Sequence, residues 1–114
     1  MKECLFCKFV RKEIETTLLY EDDDLIAIND INPQAPVHIL LIPKKHLSST
    51  LEATEGDKQL LGSVLLASGK IAKEQGLSEN GFRVVVNTGN HGGQTVFHIH
   101  FHLVGGRQMG WPPG

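Results

Sequence analysis

The chain contains few of the residue types whose abundance would indicate a function directly. Its 114 residues include two cysteines, one tryptophan and one tyrosine. Basic residues (11) are fewer than acidic ones (13), and the formal net charge at pH 7 is −2. Proteins that bind nucleic acid without sequence specificity need a basic face to neutralise phosphates. We therefore do not expect a nucleic-acid partner.

Long apolar runs are missing as well. The longest aliphatic run, "ILLI" at 39–42, is far too short to cross a bilayer. Charges interrupt the N-terminal segment, which lacks the apolar core of a signal peptide. We expect a cytoplasmic protein with no membrane partner. In a reducing compartment, the pair Cys4-x-x-Cys7 indicates metal or redox chemistry rather than a structural disulfide. A chain of this length is predicted to form one domain, residues 1–114.

The pattern of apolar residues predicts an α+β domain. Turn residues separate the predicted elements, and Gly76 is expected to stop the long helix. Because helices are segregated from runs of strands, an antiparallel sheet is favoured over a parallel βαβ fold. The predicted order is a helix at 5–13, strands at 18–20, 25–30 and 37–42, a helix at about 54–75, and strands at 82–88 and 98–104.

The segment "HIHFHLV" at 98–104 contains three of the six histidines. Successive side chains of a strand point to opposite faces. One face is therefore predicted to carry Val96, His98, His100 and His102, and the core face Phe97, Ile99, Phe101 and Leu103. Threonine or lysine would fill a solvated face more simply than imidazoles do. A metal site or a histidine nucleophile is therefore the stronger interpretation.

The loop before this segment favours the second of these. "NTGNHGGQT" at 87–95 contains glycines, which let backbone N–H groups approach a ligand closely, and the polar side chains of Asn87, Gln94 and Thr95. Such a loop suits an anion, particularly phosphate. Placed directly before three histidines, it indicates phosphoryl or nucleotidyl chemistry.

These motifs resemble a known family. His98–Val104 is similar to the histidine-triad (HIT) signature, His-φ-His-φ-His-φ-φ with φ apolar. The stretches "LFCKFVRKEI", "DINPQAPVHILLIPKKH" and "NTGNHGGQTVFHIHFHLVGGRQMGWPPG" look like the Hint branch, whose members are purine nucleoside phosphoramidases. The resemblance covers nearly the whole chain and is weakest at 48–76. It implies a five-stranded antiparallel sheet with two helices, in a homodimer whose sheets join into one sheet of ten strands.

The resemblance also implies a reaction and the residues that perform it. His100 would attack the α-phosphorus of a purine nucleoside 5′-phosphoramidate, forming a nucleotidyl-histidine that water hydrolyses. His102 would contact a phosphate oxygen, and His38 would support and orient the triad. Asn87, Thr95 and the backbone near Gly93 would bind the developing negative charge.

The nucleoside half of the substrate is implied in the same way. Asp30 matches the acid that holds the ribose hydroxyls, and Trp111 would reach the active site of the partner in the dimer. Five residues match the apolar slot around the purine, although any of them is equally suited to the core: Phe6, Phe9, Ile14, Ile28 and Ile31.

A zinc site is also expected. Cys4 and Cys7 are spaced for one corner of a tetrahedral site, which His46 and His98 would complete, as in the zinc-binding subgroup that the chain resembles. With four protein ligands the zinc would be structural. His98 could not then also pass a proton to the leaving amine, which leaves His102, His38 or solvent for that role.

Three other functions stay open at this stage. One is dinucleoside polyphosphate hydrolysis, as in the Fhit branch of the same family. Another is a nucleotide-binding regulatory module with little turnover, although a pure binder has no need of the nucleophile His100. The third is a zinc-dependent hydrolase in which the three triad histidines are themselves metal ligands.

Overall fold

The computed structural model describes residues 4–114 and confirms the α+β class. All strand pairs are antiparallel, and the sheet order is β1-β2-β3-β5-β4. Two 3₁₀ turns, Thr50–Glu52 and Glu55–Asp57, precede the long helix. The elements are α1 Leu5–Val10, β1 Tyr20–Glu21, β2 Leu25–Asn29, β3 Val37–Pro43, α2 Lys58–Glu74, β4 Phe82–Val86 and β5 Phe101–Gly105.

Helix α1 is shorter than predicted because the backbone turns left-handed at Lys12, with φ 62°. The amide of Lys12 donates to the carbonyl of Phe9, and the amide of Glu13 donates to the carbonyl of Lys8. These two bonds form a Schellman motif, which satisfies the last carbonyls of a helix. The same motif closes α2 at the predicted stop, Gly76, where φ is 78°.

The two central strands are buried on both faces of the sheet. In β2 and β3 every residue from Leu25 to Ile28 and from Ile39 to Ile42 is buried. One face packs against α2 in a cluster that includes Ile39, Leu41 and Ile71. The other face packs against α1, where Phe6 meets Ile26, Ile28, Leu40 and Ile42. The sheet thus separates the core on the α2 side from the α1 side, which carries the histidines.

The histidine segment forms a strand only in its second half. Ile99, Phe101 and Leu103 lie in the α2-side core, as predicted. The prediction that Phe97 faces the core is wrong, because its side chain is 52% exposed. Strand β5 begins at Phe101, and before it the amide of Ile99 donates to the carbonyl of Leu47, outside the ladder of β3. The predicted alternation therefore holds from Ile99 onward and fails at Phe97.

Within residues 4–114, no helix combines the length and the apolar character that crossing a membrane requires.

Candidate functional site

Strand register brings the histidines of two strands together on the α1 side of the sheet. His102 of β5 pairs with Leu40 of β3, so His38, two residues before Leu40, lies diagonally opposite. The end of β2 adds Asp30, whose amide donates to the carbonyl of His38. His100 precedes β5 and points into the same region, with its ring centroid 5.1 Å from that of His102.

His100 is held in one tautomer by the backbone. Its Nδ1 lies 2.8 Å from the carbonyl oxygen of His98. Because a carbonyl only accepts, Nδ1 carries the hydrogen and Nε2 keeps its lone pair. The edge of Phe6 packs against the ring at a centroid distance of 5.0 Å and an interplanar angle of 88°. The arrangement assigns the basic nitrogen of the ring to Nε2, since Nδ1 faces the carbonyl.

His102 and His38 are linked directly. His38 Nε2 lies 2.9 Å from His102 Nδ1, and the amide of Gln34 donates to His38 Nδ1 at 3.0 Å. Asp30 Oδ2 is 3.4 Å from His38 Nε2. Burial, together with the neighbouring His100 and His38, lowers the pKa of His102 to about 4. His102 is therefore neutral at pH 7.

A cavity of about 330 Å³ opens in front of these histidines. This volume is within the range of small-ligand pockets. His100 and His102 form its polar end, together with Asp30 and Thr95. Apolar side chains line most of the remainder. Four belong to the predicted purine slot, and three were not predicted: Phe6, Phe9, Ile28 and Ile31, and Leu5, Leu40 and Val96. Thr16 and Asn29 also line the cavity.

Not every predicted substrate-binding residue lines this cavity. Ile14 lies in an adjoining hollow of about 370 Å³ that shares Phe9 and Thr16 with it. Ile31 is at the cavity rim and fully exposed, and Trp111 is 83% exposed in the C-terminal tail. These positions do not form one closed slot within a single protomer.

The glycine loop is held mainly by its own hydrogen bonds. Asn87 Nδ2 donates to the carbonyl of Gly92, and the amide of Gly93 donates to the carbonyl of Asn90. A Cβ at Gly92 would lie 2.3 Å from the carbonyl oxygen of Thr88, so only glycine fits there. Of the three loop residues assigned to the developing negative charge, Asn87, Gly93 and Thr95, only Thr95 lines the cavity.

The buried side chain of Gln94 anchors the glycine loop to neighbouring backbone groups. Its Oε1 accepts from the amide of Gly89, and its Nε2 donates to the carbonyls of Ser48 and Val96. Sequence inspection identified Gln94 only as a polar loop residue. Its structural role had no sequence signal, since both carbonyl acceptors are backbone atoms and Ser48 is distant in the chain.

The four predicted metal-ligating residues meet in one cluster. Their ligand atoms all lie within 4.8 Å of one another. His98 Nδ1 is 3.3 Å from Cys4 Sγ, 3.5 Å from Cys7 Sγ and 3.0 Å from His46 Nδ1. His98 Nε2 donates to the carbonyl of Pro43 at 2.7 Å, which leaves the lone pair on Nδ1, facing the cysteines. Two thiols and two imidazole lone pairs fit a tetrahedral Zn²⁺ ion, whose ligands belong to these types.

Burial and neighbouring groups shift the pKa values of two residues in this cluster. Burial lowers the pKa of His98, which favours the neutral form that binds metal. Burial also raises the pKa of the Cys7 thiol, and the neighbouring Cys4 raises it further. A bound divalent cation reverses this second effect, because coordination deprotonates a thiol.

The three triad histidines do not share one metal site among residues 4–114. His98 groups with Cys4, Cys7 and His46, whereas His102 groups with Asp30 and His38. His100 belongs to neither group. The interpretation in which all three are ligands of a catalytic zinc is therefore wrong.

Known proteins are similar to the chain in sequence and in fold. A model of the HIT domain matches residues 11–109. An uncharacterised HIT-like protein of Synechococcus elongatus is 51% identical over 113 residues, which is 99% of this chain and 98% of that protein. A 14 kDa zinc-binding protein of Brassica juncea is 51% identical over 114 residues, covering 98% of this chain and all of that protein.

Solved structures of HIT proteins have the same fold as this chain. A HIT family hydrolase from Legionella pneumophila superposes with a TM-score of 0.96 at 50% identity, covering 98% of this chain and 100% of that one. A histidine triad nucleotide-binding protein from Candida albicans superposes with a TM-score of 0.83 at 33% identity, covering 96% and 83% of the two chains.

Proposed function

Because the chain belongs to the histidine-triad (HIT) family, we propose that it is a nucleotide-binding hydrolase which cleaves the P–N bond of purine nucleoside 5′-phosphoramidates. The reaction would pass through a nucleotidyl-histidine on His100. This assigns the chain to the Hint branch of the family. Relatives whose names describe a hydrolase and a nucleotide-binding protein support the general activity.

One observation carries the proposal. The bond from His100 Nδ1 to the carbonyl of His98 leaves the Nε2 lone pair available on a residue that lines the cavity. A neutral imidazole is a good nucleophile near pH 7. A purely structural or binding role for His100 would not require this tautomer.

The proposed reaction has two displacements at phosphorus. In the first, the Nε2 lone pair of His100 forms a bond to the α-phosphorus, the P–N bond to the amine breaks, and the departing amine takes up a proton. In the second, water attacks the same phosphorus and releases His100 and the nucleoside monophosphate. Splitting one difficult substitution in this way lowers the barrier of each step.

The remaining cavity residues would hold the substrate. Thr95 and His102, which line the cavity together with His100, would bind phosphate oxygens, and Asn87 and Gly93 would shape the loop. Losing one donor to developing negative charge typically costs about 10²–10³ in rate. Asp30, which also lines the cavity, would accept hydrogen bonds from the ribose hydroxyls, and Phe6, Phe9 and Ile28 would contact the base.

We assign Zn²⁺ to Cys4, Cys7, His46 and His98. With four protein ligands such a site is closed, so the ion contributes folding energy and no catalytic water. With Nε2 of His98 donating to Pro43 and Nδ1 facing the thiols, His98 has no nitrogen left to protonate the amine. The name of the Brassica juncea relative supports the choice of metal.

We further propose the homodimer with a continuous ten-stranded sheet. Strand β4 is an edge of the sheet, and its Phe82 and Val86 are exposed. Helix α2 presents Leu65 and Leu66, exposed by 53% and 79%. Edge pairing of β4 with its copy would extend the sheet and cover such apolar side chains. Light scattering should give a dimer for the parent and a monomer for Leu66→Asp.

The decisive experiment is intact mass spectrometry of protein denatured within milliseconds of mixing with adenosine 5′-phosphoramidate. An AMP adduct in the parent that is absent from His100→Ala supports the proposal. Absence of both the adduct and substrate consumption contradicts it and favours a nucleotide-binding module. Faster consumption of diadenosine polyphosphate than of phosphoramidate, with the same adduct, would instead place the chain with the dinucleoside polyphosphate hydrolases.

A further inference from the structure

A chain of hydrogen bonds connects the C-terminal tail to the triad. Arg107 Nε and Nη2 donate to the carbonyl of Gln34 at 3.2 and 3.0 Å. The amide of Gln34 donates to His38 Nδ1, and His38 Nε2 meets His102 Nδ1. We propose that Arg107 and the backbone of Gln34 are positioning groups, which act through His38 to fix His102 as a neutral imidazole that offers its Nε2–H to the phosphate.

The tautomer of His38 follows from its two neighbours. A backbone N–H can only donate, so Nδ1 of His38 must be the acceptor for Gln34. The hydrogen of the neutral ring is then on Nε2. The carboxylate of Asp30, 3.4 Å from Nε2, is an acceptor and agrees with this placement. His38 is buried, so water does not compete for these positions.

The tautomer of His102 follows from that of His38. Because His38 Nε2 donates, His102 Nδ1 accepts at 2.9 Å, and His102 carries its hydrogen on Nε2. Protonating His102 would place a second hydrogen on Nδ1, facing the hydrogen of His38. The low pKa of His102, about 4, agrees with this conflict and with burial of the ring.

This assignment narrows the roles in the proposed reaction and rests on that function. A neutral imidazole donates a hydrogen bond but is a far weaker acid than an imidazolium. His102 would therefore stabilise charge on a phosphate oxygen, and the proton for the leaving amine would come from elsewhere. His38 is not available for this step, because the only hydrogen on its neutral ring is directed at His102. Bulk solvent in the cavity is then the remaining source of the proton for the amine.

The role of Arg107 rests on the loop that it holds. Gln34 is an exposed loop residue between Pro33 and Pro36, and the paired bonds from Arg107 restrain its backbone. The tail packs closely against the same loop at Gly106, where φ is 92° and a Cβ would lie 2.9 Å from the Pro36 ring. The tail thereby keeps the amide of Gln34 directed at His38.

The test combines nuclear magnetic resonance with kinetics. In ¹⁵N-histidine-labelled parent protein at pH 7, long-range ¹H–¹⁵N spectra should show both His38 and His102 with the hydrogen on Nε2. Arg107→Met should reduce that population and lower kcat by about 10-fold, with a smaller change in KM. Arg83→Met is the matched control, because Arg83 donates to the carbonyl of Gly110 in the same tail without touching Gln34.

Each outcome decides a part of the proposal. A cationic His102, or one with its hydrogen on Nδ1, overturns the proposed relay, by which we mean the hydrogen bonds from Gln34 through His38 to His102. Parent-like spectra and kcat in Arg107→Met overturn the role of Arg107, as does an Arg83→Met variant that shows the same losses. The spectra need no substrate, so a protein with the expected tautomers and no phosphoramidase activity contradicts the proposed function and leaves the relay standing.

Discussion

Two histidine clusters lie side by side in this molecule, and neighbouring residues of one short segment contribute to both. In the proposed metal cluster of Cys4, Cys7, His46 and His98, His98 donates from Nε2 to the carbonyl of Pro43 and directs the Nδ1 lone pair at two cysteines. In the proposed catalytic cluster of Asp30, His38, His100 and His102, His100 donates from Nδ1 to the carbonyl of His98 and keeps its lone pair on Nε2. Identical side chains two residues apart therefore expose opposite nitrogens.

The difference shows what decides the chemistry of an imidazole. In each case a backbone carbonyl takes one ring N–H, and the other nitrogen becomes the basic one. In the metal cluster the ligand atoms all lie within 4.8 Å of one another, an arrangement that suits a cation. In the catalytic cluster, donors and acceptors alternate from Gln34 through His38 to Nδ1 of His102, so these ring nitrogens have partners without an ion. Each of the following experiments perturbs one of the two clusters.

The largest expected effect separates the two functions. His100→Ala should reduce phosphoramidate turnover by at least about 10⁴-fold, because it removes the nucleophile, while zinc content stays at one ion per chain. His46→Ala should lose the zinc and keep most of the turnover. Turnover assays and elemental analysis of the same samples test both claims. Loss of turnover in His46→Ala to the level of His100→Ala would contradict the separation.

The second effect concerns stability. Cys7→Ser should lower the melting temperature by about 10 °C, equivalent to about 2 kcal/mol for a domain of this size, because metal-binding energy is folding energy. Calorimetry of the parent with a strong chelator should give the same shift, and the chelator should not change the melting temperature of Cys7→Ser. A chelator that stops turnover at a temperature where the protein stays folded would instead indicate a catalytic metal.

A smaller effect is expected at the nucleoside end of the catalytic cluster. Asp30→Asn should weaken AMP binding by about 10-fold, because a charge-assisted hydrogen bond to the ribose is replaced by a neutral one. Titration calorimetry with AMP and with its 2′,3′-dideoxy analogue provides the check. The variant should lose affinity for AMP only, and equal losses for both ligands would show that Asp30 does not contact the hydroxyls.

The smallest effect is a pH dependence in the same cluster. The pKa of His102 is about 4 in the folded protein and near its ordinary 6.5 when unfolded. Unfolded chains therefore bind more protons between these values, and the stability present above pH 6.5 is lost as the pH falls towards 4. His102→Gln should lose less melting temperature than the parent between pH 7 and pH 6, by about 3 °C. Parallel curves for the two proteins would contradict the low pKa.

Sequence inspection predicted much of the fold and of the residue set, and it failed at identifiable points. Order and type of all seven helices and strands within residues 4–114 were predicted, because apolar periodicity is strong in β2, β3 and α2. Helix α1 was extended too far, since Lys12 has no sequence signal for its left-handed backbone. Phe97 was assigned to the core because alternation was continued into a segment that is not paired as a strand.

The sequence alone determined which chemistry-bearing residues exist and that they fall on one side of an antiparallel sheet. Two cysteines at x₂ spacing and three alternating histidines are local patterns, which can be read without coordinates. Only the tertiary structure decided which nitrogen of each histidine is basic. That choice depends on backbone groups of Pro43, His98 and Gln34, and a backbone carbonyl or amide is the same in every sequence until folding gives it a direction.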